Sequence, residues 1–442
     1  MISLLLSLVQ YFKNLFMTNQ NVIEQNAYGP DTAKLLQRMS NLRRLFDGIH
    51  LHISYLNITS IPKLPTNIDS LTISNVPIVA LPELPIGLKH LTCYNNKNIT
   101  ELPTLPNSLI SLYCRDLNIT ELPTLPNSLT GLTCNEINIS SLPTLPNNLI
   151  DLNIRSLNIT ELPILPISIK SLTIEKTDIT SLPSLHNTIK RLNISKTKIS
   201  ELPNIPTDLE VLDIPDTLIS TLPILPNSMF SLNCSNTNIS SLSISMLDNL
   251  RYLYICNTNV ISLPILPNNL NTLYCSNTSI SSLPTLPDNL KYLNIHNTNI
   301  SVLNNLPNNL MSLNISNTKI TSLPTLPDDL GELICHNTKI TSIPNLPTFM
   351  YKLICFNTNI NYLPELPMNL YYIYCSYNLV ADLLNQSRLP ESIHIYDKNT
   401  NEIRKGQAES NELYLKRCHD IFLRDKLYDM IKLDIIRRFI EY

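Results

Sequence analysis

The sequence contains no tryptophan and only six glycines in 442 residues. So little glycine leaves no material for the loops that cradle phosphates. Without tryptophan, any large aromatic anchor at an interface must be Tyr or Phe. Charge is sparse too, with Asp, Glu, Lys and Arg at 15% of residues and a formal net charge of −3. Such a chain lacks the basic footprint that nucleic acid or an anionic lipid surface requires, so neither is expected as a partner. No apolar run reaches the ~18–20 residues that span a bilayer. Cys-x-x-Cys pairs, His-Glu-x-x-His and Ser-His-Asp sets are missing, and the eight histidines are scattered, so no metal, cofactor or catalytic set is expected.

What the chain does have is 43% apolar residues and 32 prolines set at fixed intervals. The reason is a repeat. Leu313-Asn314-Ile315-Ser316-Asn317-Thr318-Lys319-Ile320 leads into Leu323-Pro324-Thr325-Leu326-Pro327, and the pattern restarts at Leu333. The leading position is held by Leu51, Leu71, Leu91, Leu112, Leu132, Leu152, Leu172, Leu192, Leu212, Leu232, Leu253, Leu273, Leu293, Leu313, Leu333, Leu353 and Ile373, which makes 17 repeats of 20 or 21 residues. Self-similarity on this scale marks a solenoid.

Within a repeat the apolar period changes. Leu313 and Ile315 alternate with polar residues, as in a strand. Ile320, Leu323 and Leu326 then recur every three residues around Pro324 and Pro327. Proline lacks an amide donor and fixes φ, so this stretch predicts an extended, polyproline-like return rather than a helix. Stacked repeats pair equivalent strands into one parallel sheet, which lies on the concave face of the solenoid, with the extended segments on the convex side. Each repeat buries its Leu and Ile only against its neighbours. The two 21-residue spacings, near residues 94–97 and 243–247, should be absorbed by surface bulges.

The Leu-Pro-x-Leu-Pro-x-x-Leu-x-x-Leu stretch, seen at residues 122–132 and 323–333, resembles the short leucine-rich repeat of the LPX type found in bacterial effector proteins that act inside host cells. The composition is also similar to that of uncharacterised leucine-rich repeat proteins of giant DNA viruses. The resemblance covers about residues 51–396 and implies a leucine-rich repeat solenoid. It departs from the family at the turn after the strand, where the family carries an Asn ladder. That position is apolar at Leu117, Ile137 and Leu157, then Thr from Thr177 to Thr358. A weaker Thr ladder is expected, with water serving the apolar repeats.

Residues 1–50 and 397–442 lie outside the repeats. Helical spacing at residues 1–17, 33–46 and 411–442, with Pro30-Asp31-Thr32 as a start signal, predicts helical caps at both ends. A last strand-like element is Leu389-Pro390-Glu391-Ser392-Ile393-His394-Ile395. The apolar run Met1 to Val9 resembles the core of a signal peptide but has no basic residue before it and no clear cleavage site after it.

Eight of the ten cysteines, Cys93, Cys114, Cys134, Cys234, Cys275, Cys335, Cys355 and Cys375, sit two residues after the leading position, where other repeats carry Ile. They read as small buried hydrophobes, and so many core thiols fit a reducing, intracellular compartment. Sequons such as Asn118-Ile119-Thr120 and Asn238-Ile239-Ser240 recur because the repeat recurs. Cys418-His419-Asp420 echoes the Cys-x-Asp nucleophile motif of ubiquitin-ligase domains carried by some LPX effectors. The large helical scaffold of that domain has no counterpart in the short C-terminal segment.

Alternation places the residues one before, one after and three after each leading position on the open face. Tyr252, Tyr254, Tyr274, Tyr292, His296, His336, Phe356, Tyr372 and Tyr374 fall there, as do Arg115, Arg155 and Arg191 within a mixed-charge band. Such a surface predicts a non-catalytic scaffold that binds a protein partner. A secreted recognition protein and a ubiquitin ligase acting through Cys418 stay open as alternatives. The plainer reading of the rings is cross-strand stacking that stabilises the sheet.

Overall fold

A computed structural model of the chain describes residues 30–40, 44–45, 48–376, 379 and 394–396. The helices expected at residues 1–17 and 411–442 lie outside them, as does Cys418. The chain divides into two compact halves, one running to Ser243 and the other starting at Ile244.

In the N-terminal half, helix α1 covers Pro30–Ser40. Asp31 in its first turn binds Lys34 at 2.9 Å and accepts the Asn57 amide at 2.9 Å, which ties the helix to the first repeat. The expected helix over residues 33–46 is therefore shorter and earlier. Its tail becomes strand β1 (Arg44–Leu45), which pairs antiparallel with β2 (Gly48–Ser54), so the sheet is not parallel at this edge. The antiparallel pairing gives the edge of β2 a backbone partner.

Strands β3 (Ser70–Ser74), β4 (His90–Asn96), β5 (Ser111–Leu117), β6 (Gly131–Asn135), β7 (Asp151–Arg155), β8 (Ser171–Glu175), β9 (Arg191–Asn193), β10 (Val211–Asp213) and β11 (Ser231–Asn233) follow, one per repeat. Neighbouring strands from β2 to β11 pair in parallel, leading residue against leading residue, as in Leu91↔Leu112 and Leu212↔Leu232. The C-terminal half repeats the plan with β12 (Tyr252–Tyr254), β13 (Thr272–Tyr274), β14 (Tyr292–Asn294), β15 (Ser312–Asn314), β16 (Glu332–Ile334), β17 (Lys352–Ile354), β18 (Tyr372–Tyr374) and β19 (His394–Tyr396). The last strand falls at the end of the stretch expected from Leu389 to Ile395.

No helix interrupts residues 48–376. In most repeats the return ends in a tight turn in which the amide of a buried apolar residue meets a Pro carbonyl, as Leu330 meets Pro327 at 3.1 Å. Leu247 stands in for that proline in the exceptional repeat, and Leu250 donates to its carbonyl at 2.9 Å. Both 21-residue spacings are absorbed as expected, by exposed turn residues Lys97-Asn98 and Ser245-Met246, while the buried register continues. The leading Leu, the Ile or Cys two residues on and the Ile seven residues on stack into the core, as Leu313, Ile315 and Ile320 do at 0% exposure. All eight cysteines assigned to the core are 0% exposed and none is in a disulfide.

Two features explain how the turn after each strand closes. Four residues past the leading position, the chain takes a left-handed conformation in sixteen repeats, with φ between +51° and +57° and never at glycine. Asn and Asp tolerate that region best. From Asn236 to Asn357 every such residue is Asn. Several bond along the stack, as Asn297 Nδ2 does to Asn277 Oδ1 at 2.8 Å and Asn357 Nδ2 to Asn337 Oδ1 at 2.9 Å.

One residue further, the Thr ladder is present. From Thr197 on, each hydroxyl donates to the carbonyl three residues back in its own repeat, as Thr197 does to Ile194 and Thr298 to Ile295, both at 2.8 Å. In the earlier repeats the apolar residue at that position accompanies a longer strand. There the ladder runs on through Arg115↔Asn135 and Asn135↔Arg155. Inter-strand pairing thus reaches further into those turns. Among the described residues Asn96 alone supplies the amide typical of the family, donating to Ile73 and Tyr94 and accepting the Val76 amide.

Candidate functional site

All nine rings expected on the open face belong to the C-terminal half, and each is half-buried rather than fully exposed. They do not form one continuous stripe. Tyr254 and Tyr274, opposite each other in the β12–β13 register, meet edge to face with centroids 5.4 Å apart. His336 and Phe356 stack in parallel at 4.5 Å. Past Tyr274 its row carries Asn294 and Asn314, then Ile334 and Ile354, which share their repeats with His336 and Phe356. Tyr372 makes an edge contact with Tyr371, a residue two before the leading position and 41% exposed. Beside it in the stack, Tyr351 lies so close over Gly331 that a Cβ there would come within 2.6 Å of the ring.

Asn294 and Asn314 use their side-chain oxygens locally. Asn294 Oδ1 accepts the His296 amide at 3.0 Å, and Asn314 Oδ1 accepts both the Ser316 amide at 3.1 Å and the Ser316 hydroxyl at 2.6 Å. His296 Nδ1 lies 2.8 Å from Ser316 Oγ. The face carries one ion pair in these repeats, Lys352 Nζ to Glu332 at 2.8 Å with both side chains 19% exposed, and Ser312 donates to the same carboxylate. Burial, reinforced by the His296 charge, pulls His336 down to about 4. Its Nδ1 is buried without a hydrogen-bond partner.

The three arginines belong to the other half. Arg115 reaches Glu136 at 3.5 Å, and that carboxylate is the main reason its pKa is raised. Arg155 reaches Glu175 at 3.4 Å, and Glu175 also faces Lys196 at 3.9 Å. Arg191 shares its row with Asp151, whose carboxyl is raised by burial against the opposing pull of Ser171, Arg191 and Lys170. The mixed-charge band is thus a set of internally paired charges.

The sequence reading passed over Ile334, Ile354, Asn294, Asn314 and the Glu332–Lys352 pair. The same alternation places them on the face, but the selection favoured rings and arginines. Among the described residues no cluster of metal-ligating side chains occurs, and no helix is long and apolar enough to cross a membrane.

No family model matches the chain, and no curated protein matches it either. Solved structures do. YopM from Yersinia enterocolitica is 28% identical, over 83% of this chain and 94% of its own, with a TM-score of 0.55. A structure of YopM from Yersinia pestis, described as a leucine-rich effector protein, is 29% identical over 74% of this chain and 88% of its own, with a TM-score of 0.57. A leucine-rich repeat protein of Leptospira interrogans has a TM-score of 0.61 over 82% of this chain and 97% of its own, and at 21% identity it speaks for the fold alone. The chain is a leucine-rich repeat solenoid, similar in structure to bacterial leucine-rich effector proteins.

Proposed function

We propose that the chain is a non-catalytic scaffold that binds a protein partner on the open sheet face of its C-terminal half. The observation that carries this reading is the Tyr254–Tyr274 edge pair, two half-exposed rings side by side on adjacent strands. Paired rings of this kind are the usual energetic centres of protein interfaces. The His336–Phe356 stack and Tyr372 extend the aromatic surface over later repeats. Arg115, Arg155 and Arg191, already paired, set specificity at most on their own half.

The likeness to YopM and the sequence resemblance to giant-virus proteins support a host-directed role, as a viral or effector protein. The core thiols, none of them in a disulfide, favour a reducing compartment, the cytoplasm of the host or producing cell. The test is affinity capture from lysate, comparing wild type with Tyr254→Ala plus Tyr274→Ala by quantitative mass spectrometry. A protein enriched only by wild type, with folding intact in the variant, supports the assignment. Equal capture by both would make the tyrosines structural.

A further inference from the structure

Asn294 and Asn314 are neighbours across the β14–β15 register, in the middle of the C-terminal face. Each side chain is oriented by its own backbone, because its Oδ1 is held by the amide of the residue two positions on. The oxygen being committed, the Nδ2 group is turned outward. Neither Nδ2 donates to any described residue. With neighbouring strands about 4.8 Å apart, the result is a pair of parallel, fixed, unused donors on a half-exposed surface. Asn193 and Asn233 in the other half hold their oxygens in the same way, so the arrangement is an outcome of the repeat and not of one rotamer.

What flanks the donors decides what they can receive. On one side stand the Tyr254–Tyr274 rings, and on the other Ile334, Ile354 and Phe356. The charged residues on this part of the face, Glu332 and Lys352, neutralise each other at 2.8 Å and are largely withdrawn from solvent. An acidic or basic ligand would meet no counter-charge here and would lose hydration on binding. A neutral one loses nothing electrostatic and satisfies the donors.

We infer that this part of the face takes an uncharged polypeptide segment of a partner, with an acceptor oxygen bridging the Asn294 and Asn314 amides and apolar side chains covering Ile334, Ile354 and Phe356. The acceptor is a backbone carbonyl or a carboxamide. The inference rests on the scaffold reading above and specifies its ligand. Asn294 and Asn314 are the specificity-determining residues, and the rings and isoleucines supply area.

The experiment pans a phage-displayed library of random dodecapeptides against the full chain. Wild type should enrich peptides without net charge that mix aliphatic residues with Asn, Gln or Ser. Asn294→Asp and Asn314→Asp each keep the oxygen that the backbone holds and replace the outward donor with an acceptor. Each should weaken the selected peptides by about tenfold or more, as expected for one lost hydrogen bond plus repulsion between acceptors. Asn193→Asp, the same change in the other half, should leave binding unaltered. Should a carboxylate at either site unfold the chain, Asn294→Ala and Asn314→Ala remove the donor without adding charge. Enrichment of charged peptides, no enrichment at all, or undiminished binding by the folded variants would overturn the inference. If a captured natural partner is lost with Tyr254→Ala plus Tyr274→Ala but retained by the Asp variants, the scaffold reading stands and this one falls.

Discussion

Thr298 donates its hydroxyl to the carbonyl of Ile295 at 2.8 Å, three residues back in the same repeat, and is itself only 6% exposed. Thr177 occupies the equivalent position at 5% exposure, yet its hydroxyl has no partner. The same side chain in the same shell therefore carries opposite energetic consequences. Thr298→Val strands a buried carbonyl and should cost roughly 1–3 kcal/mol. Thr177→Val removes an unpaired polar group and should be neutral or stabilising. Urea unfolding of the two variants checks both, and equal destabilisation would show that the hydroxyl bond is not what holds the turn.

The left-handed residue of each repeat offers a second contrast. Lys176 holds φ +54° where the later repeats carry Asn. Lys176→Asn relieves part of a penalty of about 1–2 kcal/mol and should raise stability by up to about 1 kcal/mol. Asn317→Val, at φ +52°, should lower it by at least about 1 kcal/mol, since a β-branched residue is poorly tolerated there and the Asn337 bond to Asn317 Oδ1 is lost. Thermal unfolding that ranks the two variants the other way would show that strain does not limit these turns.

These contrasts also mark what the sequence makes legible. Leucines at a period of 20 announce the core, because burial needs only the right residue type at the right interval. Prolines between them announce the extended return, because their φ is fixed. The turn chemistry is harder to read. Asn257, Asn277 and Asn297 look like ordinary surface residues until the backbone shows them left-handed. The longer early strands, which include Ser171–Glu175 ahead of the unpaired Thr177, are invisible in a pattern of apolar positions. On the face, alternation placed Tyr254 and Phe356 correctly but could not say which rings touch. It could not anticipate that Arg115 and Arg155 would be spent on Glu136 and Glu175.

The stacked thiols predict an alkaline limit to stability. Burial pushes Cys114 and Cys335 up to about 12, from an unfolded value near 8.5–9. A thiol that holds its proton more tightly when folded contributes stability that is fully present below the unfolded pKa. That stability is lost as pH rises towards the folded value. Each such group should remove up to about 1.4 kcal/mol per pH unit above about pH 9. Replacing Cys114 and Cys335 together by Val should flatten the pH dependence of the urea midpoint between pH 9 and 10.5. An unchanged slope would assign the alkaline limb to Lys and Tyr instead. In native protein the eight core cysteines should resist thiol reagents that label half-exposed Cys256.

His336 sets the opposite limit. It stacks on Phe356 at 4.5 Å, faces His296 across one repeat and has a buried Nδ1 with no acceptor. All three circumstances disfavour the imidazolium, and burial, the largest, brings the ring down to about 4. The unfolded chain takes up that proton near pH 6.5. The neutral ring therefore contributes stability that is present above about pH 6.5 and lost as pH falls towards 4. The ring is partly exposed, so water softens the loss. A proton NMR titration of the His336 ring should give a midpoint near 4, well below that of an ordinary histidine. Phe356→Ala opens one side of the ring to solvent and should move that midpoint upward. His296→Gln removes the neighbouring charge and should move it upward by less, because burial is the larger cause. A His336 midpoint near 6.5 in the folded wild type would show that the ring is solvated and that the stack with Phe356 does not persist in solution.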